Sequence, residues 1–118
     1  MRIYVVWFPV INRMSPEALT SLATVRTRRF PDARVSHFVD LDTRLGERFG
    51  PVLDLPKGQL AWDAFLLFDA GVEWGAAPPR PTFWMHQLNR GPPALRLDAE
   101  RLAFEVEKLL ADPTESRP

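Results

Sequence analysis

The sequence contains no cysteine among its 118 residues. Disulfide bonds, thiolate nucleophiles and zinc–thiolate sites are therefore excluded. The chain also lacks an excess of either charge, because fifteen basic and fifteen acidic side chains cancel to a formal net charge of zero. Nucleic-acid-binding proteins generally carry a net basic surface, so neutrality argues against nucleic acid as a partner. Neutrality also leaves little repulsion between copies, which is compatible with a homodimer.

Long hydrophobic runs are missing as well. No apolar stretch approaches the length of a membrane-spanning helix, so we expect no membrane partner. The apolar start of the chain, residues 1–11, is followed by Asn12 and Arg13 instead of the small residues of a signal-peptide cleavage site. We interpret it as a buried first strand and expect a cytoplasmic protein.

Sequence motifs of common catalytic and cofactor sites are also absent. The sequence has no dinucleotide-binding glycine motif, no P-loop, no nucleophile elbow and no H-E-x-x-H. We therefore expect no cofactor and no bound metal, and the sequence favours a protein that is not an enzyme.

The composition is that of an ordinary globular protein. Hydrophobic residues make up 46% of the chain and charged residues 25%, and the length suits one domain with its own core. We expect a single α/β domain over residues 1–112 and a flexible tail over residues 113–118.

Hydrophobic periodicity and capping residues predict the order β-α-β-α-β-β-α. Apolar runs predict strands over residues 3–8, 35–39, 61–68 and 82–88. Helix N-caps are expected at Ser15 and at Asp98. The first helix is expected to bury a stripe of Ala18, Leu22 and Val25. A short second helix is expected through Leu41, Leu45 and Phe49, ending at Gly50-Pro51. The last helix is expected to present an apolar face of Leu102, Val106, Leu109 and Leu110.

Three segments carry a resemblance to a known superfamily. Residues 5–9 (V-V-W-F-P) are similar to an apolar strand that leads into an active-site loop, and residues 38–42 (F-V-D-L-D) to the strand that follows. Residues 47–52 (E-R-F-G-P-V) resemble the helix end after that strand. With the order of elements, the chain resembles the thioredoxin-like superfamily. The resemblance implies a single-domain sandwich with a mixed sheet flanked by helices.

The chain departs from that family at two positions. Where redox-active members carry C-x-x-C, residues 12–15 read N-R-M-S, so the resemblance implies a redox-inactive member. The family's proline before the third strand has no counterpart at residues 60–63, whereas Pro81 precedes Thr82 and Phe83. Either residues 61–68 are the third strand without its proline, or they are an insertion and residues 82–86 are the third strand.

Clustered tryptophans are the main functional lead. Trp74, Phe83 and Trp84 flank a rigid proline segment, residues 78–81, that contains Arg80. Tryptophan and arginine are enriched at binding hot spots, so these four residues predict a surface that binds another protein or a second copy. The alternative is that the tryptophans lock a long loop onto the sheet. The leading hypothesis is a redox-inactive interaction or assembly module.

A small enzyme or ligand-binding protein is the alternative hypothesis. Asn12 and Arg13 precede a helix N-terminus, which favours anions, and His37, Asp40 and His86 supply titratable groups for a polar pocket. The simpler interpretation is a half-buried His37, an Asp40 that caps the next helix, and a core Met85 beside a hydrogen-bonded surface His86.

Overall fold

The computed structural model of the chain describes residues 1–9, 15–29 and 32–111. The described part of the chain is mixed α/β, and its strands and α-helices follow the predicted order. The elements are β1 (Ile3–Trp7), α1 (Pro16–Arg29), β2 (Val35–Val39), α2 (Arg44–Val52), β3 (Ala64–Leu67), β4 (Phe83–His86), a 3₁₀ helix (Pro93–Leu95) and α3 (Ala99–Ala111). Asn12, Arg13 and the predicted tail 113–118 lie outside the described residues.

The chain divides into two compact units, one spanning Met1–Leu45 and one beginning at Gly46. Hydrogen bonding between the described strands forms two separate two-stranded sheets. Among the described helices, none is both long enough and apolar enough to cross a bilayer.

The first unit is a β-α-β arrangement. β1 and β2 pair in parallel with Ile3 opposite Val35 and Trp7 opposite Val39, and α1 connects them and packs against β2. A parallel pair needs such a crossover connection. The predicted cap of α1 is confirmed, because the Ser15 hydroxyl accepts a hydrogen bond from the Ala18 N–H at 3.1 Å.

The buried stripe of α1 differs from the prediction. Leu19 and Ala23 are buried, whereas Ala18 is exposed and Val25 is 53% exposed. Successive helical residues are about 100° apart, so the stripe that includes Leu19 and Ala23 leaves Ala18 and Val25 on the flank.

An exposed ion pair stabilises the turn before β2. The Arg34 guanidinium donates to both carboxylate oxygens of Asp32, at 3.1 and 2.7 Å. This side-chain hydrogen bonding, together with the Arg34 backbone N–H, lowers the pKa of Asp32 to about 2.

The second unit is built around the antiparallel pair β3–β4, with Ala64 opposite His86 and Leu67 opposite Phe83. Both segments that competed for the third strand are therefore strands, each shorter than predicted, and they pair with each other. β4 is covered on both faces, because Trp84, Met85 and His86 are all buried. Other buried core residues of this unit are Phe49, Leu53, Leu55, Ala61 and Leu88.

Helix α2 does not close at Gly50-Pro51 as expected. It begins at Arg44, so Leu41 lies before it, and it continues through Pro51 to Val52. The helix ends instead in a Schellman motif, in which the Leu55 N–H donates to the Gly50 carbonyl at 3.0 Å. Asp54 takes the left-handed position of that motif with a φ of 57°.

Helix α3 begins at the predicted cap. The Asp98 carboxylate accepts hydrogen bonds from the backbone N–H groups of Glu100 and Arg101, at 3.0 and 3.2 Å. Its predicted apolar face is only partly covered, because no residue of α3 is buried and Leu110 is 58% exposed.

At Gly46, the segment that contains Leu60 and Ala61 packs closely against helix α2. A Cβ at this position would lie 2.8 Å from the Ala61 carbonyl oxygen and 2.9 Å from Leu60 Cδ1. We expect Gly46→Ala to lower the free energy of unfolding by about 1–3 kcal/mol through overpacking, despite a helix-propensity gain of about 1 kcal/mol. Gly50→Ala in the same helix has the same propensity gain, but its nearest contact is 3.1 Å. Urea unfolding should show the larger loss for Gly46→Ala, and equal values would contradict the steric explanation.

Candidate functional site

His86 is the most completely buried polar residue of the described chain, with 0% of its surface exposed. Its Nδ1 accepts a hydrogen bond from the Leu88 N–H at 3.0 Å, and its Nε2 lies 2.8 Å from the Pro92 carbonyl oxygen. Only a neutral ring with its proton on Nε2 satisfies both neighbours. The expectation of a surface His86 is therefore wrong, because the loop that follows β4 folds back over the ring.

Gly91 lets that loop close over the ring. A Cβ on Gly91 would lie 2.6 Å from His86 Nε2 and 2.7 Å from His86 Nδ1, and it would also overlap Cε1. No side chain larger than hydrogen fits there unless the ring moves. Two hydrogen bonds hold the ring in place, so His86 and Gly91 together fix the path of the loop.

Further hydrogen bonds attach the same loop to its surroundings. The Leu97 N–H donates to the His86 carbonyl at 2.7 Å. The Arg96 guanidinium donates to the Leu88 carbonyl at 3.0 Å, and the Arg101 guanidinium donates to the Ala94 carbonyl at 2.9 Å. The segment 87–97 is thus a rigid loop held at both ends.

This rigid loop forms one wall of an open groove, which we call the arginine–proline groove. The groove has a volume of about 540 Å³. It is lined by Leu53, Asp54, Pro56, Arg80, Trp84, Arg90, Gly91, Pro92, Pro93 and Leu95. Its lining combines apolar side chains with the charged groups of Asp54, Arg80 and Arg90.

Arg80 and Asp54 form an ion pair at the rim of the groove. The Arg80 Nη2 to Asp54 Oδ2 distance is 3.0 Å, and both side chains are mostly exposed, so the pair adds little to stability. Asp54 occupies the left-handed helix-end position at which glycine is the usual residue. The backbone of the α2 terminus therefore aims this carboxylate at Arg80.

The structure brings together two of the four residues predicted for the interface. Arg80 and Trp84 line the same groove, and Trp84 is only 8% exposed, so it forms part of the groove floor. Trp74 and Phe83 are not among the residues that line the groove. Trp74 is 53% exposed and packs edge-on against Phe49, with ring centroids 5.6 Å apart, while Phe83 lies 5.0 Å under the Arg101 guanidinium.

The residues of the predicted polar pocket are distributed over both units and the part of the sequence outside the described residues. His37 and Asp40 belong to the first unit, His86 belongs to the second, and Asn12 and Arg13 are outside the described residues. Asp40 Oδ2 accepts a hydrogen bond from the Leu45 N–H at 2.8 Å, so it caps α2. The described residues contain no group of three metal-ligating side chains.

His37 lies in the first unit, where it is hydrogen-bonded to Trp7. It is half-buried, and its Nδ1 accepts a hydrogen bond from the Trp7 indole N–H at 3.2 Å. Its Nε2 is buried and has no hydrogen-bond partner within the described chain. The Trp7 contact explains the orientation of the ring.

A second groove in the second unit runs along α3. It is lined mainly by apolar side chains, namely Phe65, Leu97, Leu102, Ala103 and Val106. It offers almost no polar groups to orient a ligand, so we assign no function to it.

Sequence reasoning missed most of the groove, including Leu53, Arg90, Pro92 and Pro93. The only local signal was the Gly91-Pro92-Pro93 break directly after a predicted strand. Such a break indicates a turn, but it does not indicate which other segments the turn meets.

Comparison with known proteins identifies no relative. No protein-family model, no curated protein sequence and no solved structure matches the chain.

Proposed function

We propose that this chain is a redox-inactive protein-interaction module that binds its partner in the arginine–proline groove. The observation that carries the proposal is the composition of the groove. The floor of Trp84 and leucine side chains is combined with the exposed Arg80 and Arg90, and Arg90 lies on a loop whose path is fixed by His86. Arginine and tryptophan are characteristic of binding hot spots, and a rigid wall lowers the entropy lost on binding.

We also propose that the fold is thioredoxin-like. The order of strands and helices, the parallel pair β1–β2 and the antiparallel pair β3–β4 support this proposal. Since the sequence has no cysteine, such a domain has no thiol chemistry and acts by binding.

A catalytic pocket receives less support. His86 is fully buried and both of its ring nitrogens are engaged with the loop backbone, so it has no free position for proton transfer. Asp40 is engaged as a helix cap. His86 and Asp40 thus have structural roles.

Site-specific photocrosslinking tests the binding groove. We expect Pro93→p-benzoylphenylalanine, which places the crosslinker in the groove lining, to yield a discrete protein adduct inside the cells that produce the protein. The adduct is either a second copy or a foreign protein, and mass spectrometry identifies it. We expect Arg90→Glu in the same chain to abolish the adduct, because it reverses a rim charge of the groove.

Glu73 supplies the control position, because it is exposed and does not line the groove. Glu73→p-benzoylphenylalanine should not yield the same adduct. The proposal fails if Pro93 gives no adduct, or if both positions capture the same proteins in equal amounts.

A further inference from the structure

The arginine–proline groove has an imbalance of charge at its rim. Arg80 and Arg90 line the groove beside a single carboxylate, Asp54, while Arg96 and Arg101 hold its loop wall without lining it. Of these four, Arg80 alone has a carboxylate partner within the described part of the chain. This excess is local, because the whole chain has a formal net charge of zero.

The acidic residue of the groove lining and the one that caps α3 are both engaged. Asp54 is paired with Arg80, and Asp98 accepts hydrogen bonds from the first backbone N–H groups of α3. Arg90 is exposed at the turn of the loop and forms no ion pair with any described residue. It is thus free to pair with a carboxylate brought by a ligand, and a guanidinium does so with two parallel hydrogen bonds.

The proline wall determines how a partner chain is held. Pro92 and Pro93 have no backbone N–H, and the Pro92 carbonyl is already within hydrogen-bond distance of His86. The wall therefore cannot extend a β-ladder onto an incoming strand. Recognition must come from side chains, with apolar groups on the floor of Leu53, Trp84 and Leu95 and anionic groups at the arginines.

Resting on the proposed function, we infer that the partner of the arginine–proline groove is an acidic peptide segment that alternates glutamate or aspartate with apolar residues. The apolar side chains lie on the floor formed by Leu53, Trp84 and Leu95. The carboxylates face Arg90 and compete with Asp54 for Arg80. Charge complementarity sets the specificity, and burial of the partner's apolar side chains adds to the affinity.

Fluorescence anisotropy with a labelled peptide tests this inference on the full-length protein. The probe is a peptide of alternating glutamate and leucine, and the matched control peptide has glutamine in place of every glutamate. We expect the glutamate peptide to bind at least about tenfold more tightly than the glutamine peptide, with affinity that falls as ionic strength rises.

Arg90→Glu is the informative variant. We expect it to weaken the glutamate peptide by about tenfold or more and to leave the thermal unfolding midpoint unchanged, because the side chain is exposed. Arg28→Glu is the matched control, since it makes the same change of charge at an exposed position of α1. Arg28→Glu should bind the peptide as the wild type does.

The outcomes separate the partner from the groove itself. Equal binding of the two peptides, equal weakening by Arg28→Glu and Arg90→Glu, or complete displacement by millimolar inorganic phosphate would overturn the acidic-peptide inference. If the inference is overturned while the crosslinker at Pro93 still captures one protein, the interaction module stands with a partner of different chemistry. If the crosslinker captures nothing as well, both proposals fall.

Discussion

Replacing His86 with alanine is expected to lower the free energy of unfolding by about 3–5 kcal/mol. The variant removes hydrogen bonds to the Leu88 N–H and the Pro92 carbonyl, and it leaves a cavity at a residue with no exposed surface. Each buried group left without a partner costs about 1–3 kcal/mol. Urea unfolding followed by far-UV circular dichroism measures the change.

A second substitution, at Gly91, tests whether the His86 ring and Gly91 are in contact. Gly91→Ala alone is expected to cost about 1–3 kcal/mol, because its Cβ would overlap the His86 ring. In the His86→Ala background the ring is absent and the Cβ has room, so the second substitution should cost much less. The double-mutant cycle should therefore give a coupling energy of about 1–2 kcal/mol.

His86→Asn provides an intermediate control. Its side-chain oxygen can replace Nδ1 as the acceptor for the Leu88 N–H, but its amide NH₂ does not reach the Pro92 carbonyl as the imidazole Nε2 does. We expect a loss of stability smaller than that of His86→Ala. Additive effects of His86→Ala and Gly91→Ala would contradict the ring-to-glycine contact and, with it, the fixed path of the groove wall.

Local signals explain which parts of the fold were predictable. Ser15 and Asp98 cap their helices as expected, because a cap involves only residues two or three positions away. The apolar run of β1 likewise predicted a strand, but the expected burial of that strand is wrong, because Ile3 and Tyr4 are exposed. These elements need no knowledge of distant segments.

Contacts between segments far apart in the sequence explain the wrong predictions for α2 and His86. Local rules end α2 at Gly50-Pro51, but Leu53 is buried and Asp54 accepts the left-handed conformation, so the helix runs on. His86 was expected at the surface because its burial depends on a loop that returns eleven residues later, where the Leu97 N–H donates to the His86 carbonyl.

The groove was beyond sequence reasoning for the same reason. Its lining comes from three segments, residues 53–56, 80–84 and 90–95, that no period or motif connects. Arg80 and Trp84 were singled out for their residue types, which indicate binding in general. Arg90 gave no such signal, because an arginine next to a glycine–proline turn is ordinary in a solvent-exposed loop.

Trp84→Ala is expected to lower the free energy of unfolding by about 3–5 kcal/mol, the usual cost of removing a buried aromatic side chain. Trp84 lies in β4 opposite Leu66, is 8% exposed, and packs against His86 with ring centroids 5.4 Å apart. Its loss therefore removes core packing as well as groove floor. Far-UV circular dichroism is the appropriate probe of urea unfolding, because the variant also loses a fluorophore.

Trp74→Ala is the matched control for this substitution. Trp74 is 53% exposed and its contacts are the rings of Phe49 and Phe68, so its removal should cost no more than about 1–2 kcal/mol. Trp84→Phe should keep most of the packing and recover more than half of the lost stability. If Trp84→Ala is as stable as Trp74→Ala, the indole is a surface anchor. A large difference in stability between the two variants instead means that Trp84 affects binding as part of the core. Any loss of peptide binding in Trp84→Ala then reports unfolding, unless Arg90→Glu causes the same loss of binding in a folded protein.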